Sequence, residues 1–152
     1  MANYFAAELN ELDFPNCFDE KTRKLKESYK MFALYEEEVS PKLRKEWEQL
    51  RGKKWNVIKG SWIMFITDKA KIISTMYITY KDTIGTFHAA FTYPEYRSNG
   101  FYKFFAYMGM SHMISKGVTR FEVHTDKEHL WNVWLRLGFH RTETINKLSQ
   151  SL

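Results

Sequence analysis

A chain of 152 residues that is 44% hydrophobic and 17% aromatic can build one substantial core and is short for two. That composition excludes an extended disordered chain, and no apolar run reaches the ~20 residues of a membrane-spanning helix. A formal charge of +5 and a pI near 9.2 favour anionic partners: nucleic acid, an acidic protein face or a phosphorylated cofactor.

The N-terminal stretch MANYFAAELNELDF lacks the basic start and long apolar core of a signal peptide. Cys17 stands alone, which excludes an internal disulfide and a cysteine-based zinc site and fits a reducing interior. The expectation is a cytoplasmic protein of one domain, residues 1–152. Residues 3–9 read as a short first strand. Asn16 to Asp19 offers turn and cap chemistry, after which Leu25, Tyr29, Phe32 and Tyr35 or Val39 recur at helical spacing and predict a helix. Ser40-Pro41 opens a second helix with a capping hydroxyl and a proline at its first position. Leu43, Trp47 and Leu50 form its apolar stripe, and Gly52 marks its end. The basic stretches at 21–26, 42–45 and 51–54 lie on these helical segments beside Glu36-Glu37-Glu38. They read as a solvated face rather than a nucleic-acid surface.

From Trp55 the period changes. WIMFIT (62–67), KIISTMYITY (71–80) and TIGTFHAAFTY (83–93) are β-branched and aromatic runs separated by short polar turns, an antiparallel meander of three strands. Pro94 cannot donate a ladder hydrogen bond and ends the third strand. Arg97-Ser98-Asn99-Gly100 follows as a basic, glycine-containing loop. Phe101, Phe104, Phe105, Met108 and Met113 then mark a helix that ends at Gly117. A strand, an arginine, a small-residue turn and a helix N-terminus bring N–H groups and positive charge to one point, the physics of a phosphate cradle. A plain connection with a solvated arginine is the competing reading. Residues 118–125 read as a further strand, and Thr125-x-x-Glu128 as a capping box for a short helix stopped by Gly138. The tail supplies one more strand. Strands on both sides of the 100–116 helix imply an α/β fold with a mixed, mostly antiparallel central sheet flanked by helices, and a ligand at the end of strand 83–93.

Y-P-E-Y-R-S-N-G (93–100) followed by F-E-V-H-T-D-K-E-H-L-W-N-V-W-L-R-L-G-F (121–139) resembles the GNAT superfamily of acyl-CoA N-acyltransferases. The resemblance covers roughly residues 60 to 140. It implies acetyl-CoA as co-substrate and transfer of an acetyl group to an amine of a small molecule or protein. By the same resemblance Ala90, Phe91 and Thr92 offer backbone groups to the pantetheine arm. Arg97, Ser98, Asn99, Gly100, Phe101, Tyr102 and Lys103 hold the pyrophosphate. An N–H near Phe91 or Thr92 would meet the oxyanion. Glu122 falls where ribosomal-protein alanine N-acetyltransferases of this superfamily place a general base. His124 shares its face, and His88 on the neighbouring strand is a further candidate. Alternation alone would also put a polar residue at 122 and solvent-facing histidines at 88 and 124. His124 and His129 lack partner ligands, so no metal is expected.

Three positions depart from the family pattern. Tyr102 stands where a small residue ends the loop motif, Lys127 replaces the asparagine opening the second motif, and Trp134 replaces the tyrosine credited as general acid. These departures keep open a second reading, a catalytically inactive GNAT-fold interaction or assembly protein such as a viral virion component, in virion or host cytoplasm. The short C-terminal end leaves room for a neighbouring chain to complete the sheet, as in a homodimer. No membrane association is expected.

Overall fold

The structure, a computed structural model, describes residues 4–13 and 28–142. Its strands are β1 (Tyr4–Glu8), β2 (Tyr29–Tyr35), β3 (Trp62–Asp68), β4 (Lys71–Lys81), β5 (Ile84–Thr92), β6 (Arg120–His124) and β7 (His140–Thr142). Its α-helices are α1 (Pro41–Arg51), α2 (Phe101–Ile114) and α3 (Glu128–Arg136). One seven-stranded sheet runs β2-β3-β4-β5-β6-β1-β7. Every pairing is antiparallel except β5 with β6. The expected mixed, mostly antiparallel sheet with flanking helices is therefore what the chain forms.

The meander pairs because its β-branched and aromatic residues fill both faces of a covered sheet. On one face Met64, Ile66, Met76, Ile78 and Phe87 pack with Phe105 and Met110 of α2 and Trp134 of α3. On the other, Ile63, Phe65, Ile72 and Tyr77 pack with Trp47 and Leu50 of α1. Helix α1 begins as its sequence dictates: the Ser40 hydroxyl accepts the Leu43 N–H at 3.2 Å, Pro41 follows, and Gly52 closes the last turn.

Two expectations fail. Residues 29–35 are a strand, not the continuation of a helix from 25. Tyr29, Phe32 and Tyr35 fit helical spacing, but β2 is an edge strand half-covered on both faces, so it carries no polar–apolar alternation to betray it. The Asn16–Asp19 turn and Leu25 lie outside the described residues, as do Cys17, the basic stretch 21–26 and the tail beyond 142. The capping box at Thr125 does not form either. Lys127 is the N-cap of α3, without a side-chain cap, and the Thr125 hydroxyl instead accepts the Lys127 N–H at 3.2 Å.

The first strand, expected over residues 3–9, lies between β6 and β7. Tyr4 to Glu8 pair with His124 to Arg120 on one side, and Tyr4 to Ala6 pair with Thr142 to His140 on the other. No helix among the described residues is long and apolar enough to cross a membrane.

Candidate active site

Strands β5 and β6 run parallel from Ile84 beside Arg120 to Phe87 beside Val123, and then part. The cause lies in β5. Between His88, opposite Tyr77, and Phe91, opposite Thr75, the strand carries an extra residue, and Ala89 takes a left-handed φ of +54°. A bulge of this kind bends its strand away from its neighbour. Between the parted ends opens a cavity of about 240 Å³, with His88 and Ala90 on one wall, His124 and Lys127 on the other, and Trp134 and Leu130 below.

A second cavity, about 310 Å³, adjoins the first and shares Leu130 with it. It is lined by Thr92 and by the loop and first helical turn from Arg97 to Lys103. Ser98 and Gly100 both have positive φ, +67° and +77°. Alternation of this sort turns successive N–H groups toward one concave point, and Gly100 lets the turn enter a helix without steric cost. The first helical bond runs from the Phe104 N–H to the Gly100 carbonyl at 3.1 Å. Among the described residues no backbone carbonyl accepts from the N–H groups of Phe101 and Tyr102. The loop is held from behind: the Tyr96 hydroxyl donates to Asp68 Oδ2 at 3.0 Å, and Asn99 Nδ2 donates to the Tyr96 carbonyl at 2.8 Å. Arg97 Nε lies 3.4 Å from the Thr92 carbonyl. Tyr102 lines the cavity without filling it. Burial raises its phenol pKa, with a hydrogen bond to Thr92 and the charges of Arg97 and Arg51 acting the other way.

The three base candidates share the α1 side of the sheet, but the cleft does not treat them alike. His88 lines the first cavity, stacks on Tyr77 with ring centroids 5.0 Å apart, and has Nε2 2.9 Å from the Thr79 hydroxyl. Burial lowers its pKa to about 4, so the ring is neutral and weakly basic. His124 lines the same cavity, half-exposed, with Nε2 3.6 Å from Asp126 Oδ1. Glu122 lines neither cavity. It is 1% exposed and accepts from Arg120 Nε at 3.0 Å, while Arg120 Nη1 donates to Glu8 at 2.7 Å. Burial is the largest single influence on the arginine and lowers its pKa, but the hydrogen bonds and charges of Glu8 and Glu122 together outweigh it and the pKa is raised.

Of the backbone groups of Ala90, Phe91 and Thr92, the Ala90 and Phe91 carbonyls already accept hydrogen bonds. Lys127 Nζ donates to the Ala90 carbonyl at 3.2 Å, bridging the parted strands, and the Ser74 hydroxyl donates to the Phe91 carbonyl at 3.1 Å. Burial lowers the Lys127 pKa, and the charges of Arg51, Arg97 and Lys53 add to the effect. Trp134 is 2% exposed and packs against Phe87 and Phe139, each with centroids 5.1 Å away. Arg51, at the end of α1, also reaches the first cavity. Sequence reasoning left it on a solvated face, because only the tertiary fold brings that helix end over β5.

No family model and no curated protein sequence matches the chain. Solved structures do, at low identity. A GCN5-related N-acetyltransferase from Kribbella flavida superposes with a TM-score of 0.63 at 11% identity, over 98% of this chain and 60% of that one. A GCN5-related N-acetyltransferase-like protein from Streptococcus suis gives a TM-score of 0.67 at 15% identity, over 94% and 58%. A predicted acetyltransferase with acetyl-CoA from Clostridium acetobutylicum gives 0.57 at 14% identity, over 80% and 97%. The chain thus spans about three-fifths of the first two and nearly all of the third. The similarity is one of architecture: this chain has the acyl-CoA N-acyltransferase fold of the GCN5-related N-acetyltransferases.

Proposed function

We propose that the protein is an acyl-CoA-dependent N-acyltransferase, acting with acetyl-CoA on a primary amine. The observation that carries this reading is the pair of adjoining cavities. One is lined by Arg97, by the turn with left-handed φ at Ser98 and Gly100 and by the first turn of α2; the other lies between strands that part beside two histidines. The first has the donor set of a diphosphate site: an unsatisfied helix start, a left-handed turn and a guanidinium. The second has the proportions of a narrow reaction cleft.

The chemistry asked of the cleft is attack of a neutral amine nitrogen on the thioester carbonyl carbon. An N–C bond forms, the C–S bond breaks, and the amine proton leaves. Of the three base candidates, we assign the proton to His124. It lines the cleft, whereas Glu122 is sealed in its pairing with Arg120 and His88 is too weak a base. An N–H of Phe91 or Thr92 is assigned to the oxyanion. The Trp134 indole has no proton to give in this pH range. Lys127, an ammonium with a lowered pKa at the mouth of the cleft, is assigned to meet the departing thiolate.

Thiol release from acetyl-CoA over a panel of amines tests this. His124→Gln is expected to lower kcat by about 10²–10⁴-fold with CoA binding kept. Lys127→Met should also lower kcat. CoA binding without thiol release from any amine would replace the enzyme with a CoA-binding protein. Full activity in His124→Gln would remove the histidine from the mechanism.

A further inference from the structure

Among the described residues Arg51 is a cation with no ion-pair partner. Its Nε is buried without a hydrogen-bond partner. Its guanidinium carbon lies 5.4 Å from the centre of the Phe91 ring and 5.9 Å from that of Trp47, so aromatic faces surround it in place of carboxylates. Burial lowers its pKa, the direction expected of a charge that is desolvated and unanswered. Arg51 as a whole is half-buried, and a cation desolvated even in part without a partner carries a cost that a bound anion would offset.

The surroundings say what would answer it. Lys127 Nζ sits 5.5 Å from the same Phe91 ring, and Arg51, Arg97 and Lys53 all act on that lysine as neighbouring cations. Among the described residues the one carboxylate lining the cavity is Asp126, which stands between His124 and Lys127 in the chain and is largely exposed. The lining of the reaction cleft therefore sets two cations, Arg51 and Lys127, against one exposed carboxylate among the described residues, an excess of positive charge. The guanidinium presents a planar fork suited to two oxygens of a carboxylate or phosphate.

We propose that the cleft recognises its amine acceptor by an anionic group on that acceptor, a carboxylate or phosphate, clamped by Arg51. The proposal rests on the transferase reading and narrows it: amino acids, acidic peptides or phosphorylated amines fit, and plain polyamines do not. An acceptor so held would carry its own counter-charge into the cleft and present its amine toward His124.

Anion binding to the whole protein, in the presence of saturating CoA, provides the test. The probes are acetate, succinate and inorganic phosphate, with acetamide and succinamide as neutral partners of the same shape. At least one anion should bind saturably and its neutral partner should not. Arg51→Gln should weaken that binding by tenfold or more, Arg51→Lys by less, and CoA affinity should stay within about twofold in both. The proposal is overturned if no anion saturates, or if charged and neutral probes behave alike. It is overturned too if Arg51→Gln costs CoA affinity while leaving the anion untouched, since the arginine would then serve the cofactor's own phosphates. The comparison of charged with neutral probes needs no variant, so a folding defect in Arg51→Gln leaves the test intact. Anion binding at Arg51 in a protein that ignores CoA would defeat the transferase reading instead, and the two failures are told apart.

Discussion

His88 couples the cleft to stability. Its folded pKa of about 4 lies below the ordinary 6.5 because burial disfavours the imidazolium. Between those values the unfolded chain binds a proton that the folded chain refuses, so stability rises with pH across the window. The contribution is complete above about pH 6.5, declines as pH falls and is spent below about 4, a loss on the order of 3 kcal/mol. Denaturant midpoints measured from pH 7 to pH 4 should show that slope, and His88→Gln should flatten it. An unchanged slope would place the ring in contact with water. At this scale the sequence was partly legible. Tyr93 to Gly100 and the strand histidines stand out as residue types, and the structure brings His88 and His124 to one cavity. Arg51 did not stand out, since its isolation is a property of what surrounds it in space. Nor did the burial of Glu122, which depends on Arg120 and Glu8 across two strands.

The bulge in β5 is the element on which the cleft depends. Ala89 holds φ at +54°, a region that a small side chain enters at modest strain and a β-branched one enters badly. Ala89→Val should cost about 1–3 kcal/mol of unfolding free energy and close the gap beside Val123, with chemical denaturation and CoA binding as the readouts. A variant of wild-type stability would mean the bulge relaxes freely. Elements with local signals were legible: α1 from Ser40-Pro41 and Gly52, the meander from its β-branched runs, α2 from its apolar face after Gly100. The strand at 29–35 was not. An edge strand half-covered on both sides shows neither alternation nor a continuous β-branched run, and three aromatics at intervals of three residues mimic a helix face. The false capping box has a similar origin, for Thr125 spends its hydroxyl on the Lys127 N–H in a turn that precedes the helix.

Across the whole molecule, the unforeseen feature is the placement of β1 between β6 and β7, where the first strand of the chain joins pieces more than a hundred residues away. Such pairing is written in no local pattern. Its anchor is visible at Gly138, whose φ is +99° and where an added Cβ would lie 1.9 Å from the Glu11 carbonyl oxygen. The Asp13 N–H meanwhile donates to the Leu137 carbonyl at 2.8 Å. Gly138→Ala should therefore cost about 3 kcal/mol or more and loosen β1, seen as faster amide exchange in β1 and β6. Protection equal to wild type would show that this junction does not secure the strand.

The proposed activity stands or falls with the turn at Arg97–Tyr102 as a diphosphate site, and calorimetric titration with CoA reads it directly. The expected result is saturable binding of one CoA per chain with Kd at or below about 0.1 mM, equivalent to roughly −5.5 kcal/mol. Arg97→Ala should weaken it by about tenfold, in line with the loss of one charge-assisted contact. No binding at millimolar CoA, or binding that Arg97→Ala leaves unchanged, would contradict the account.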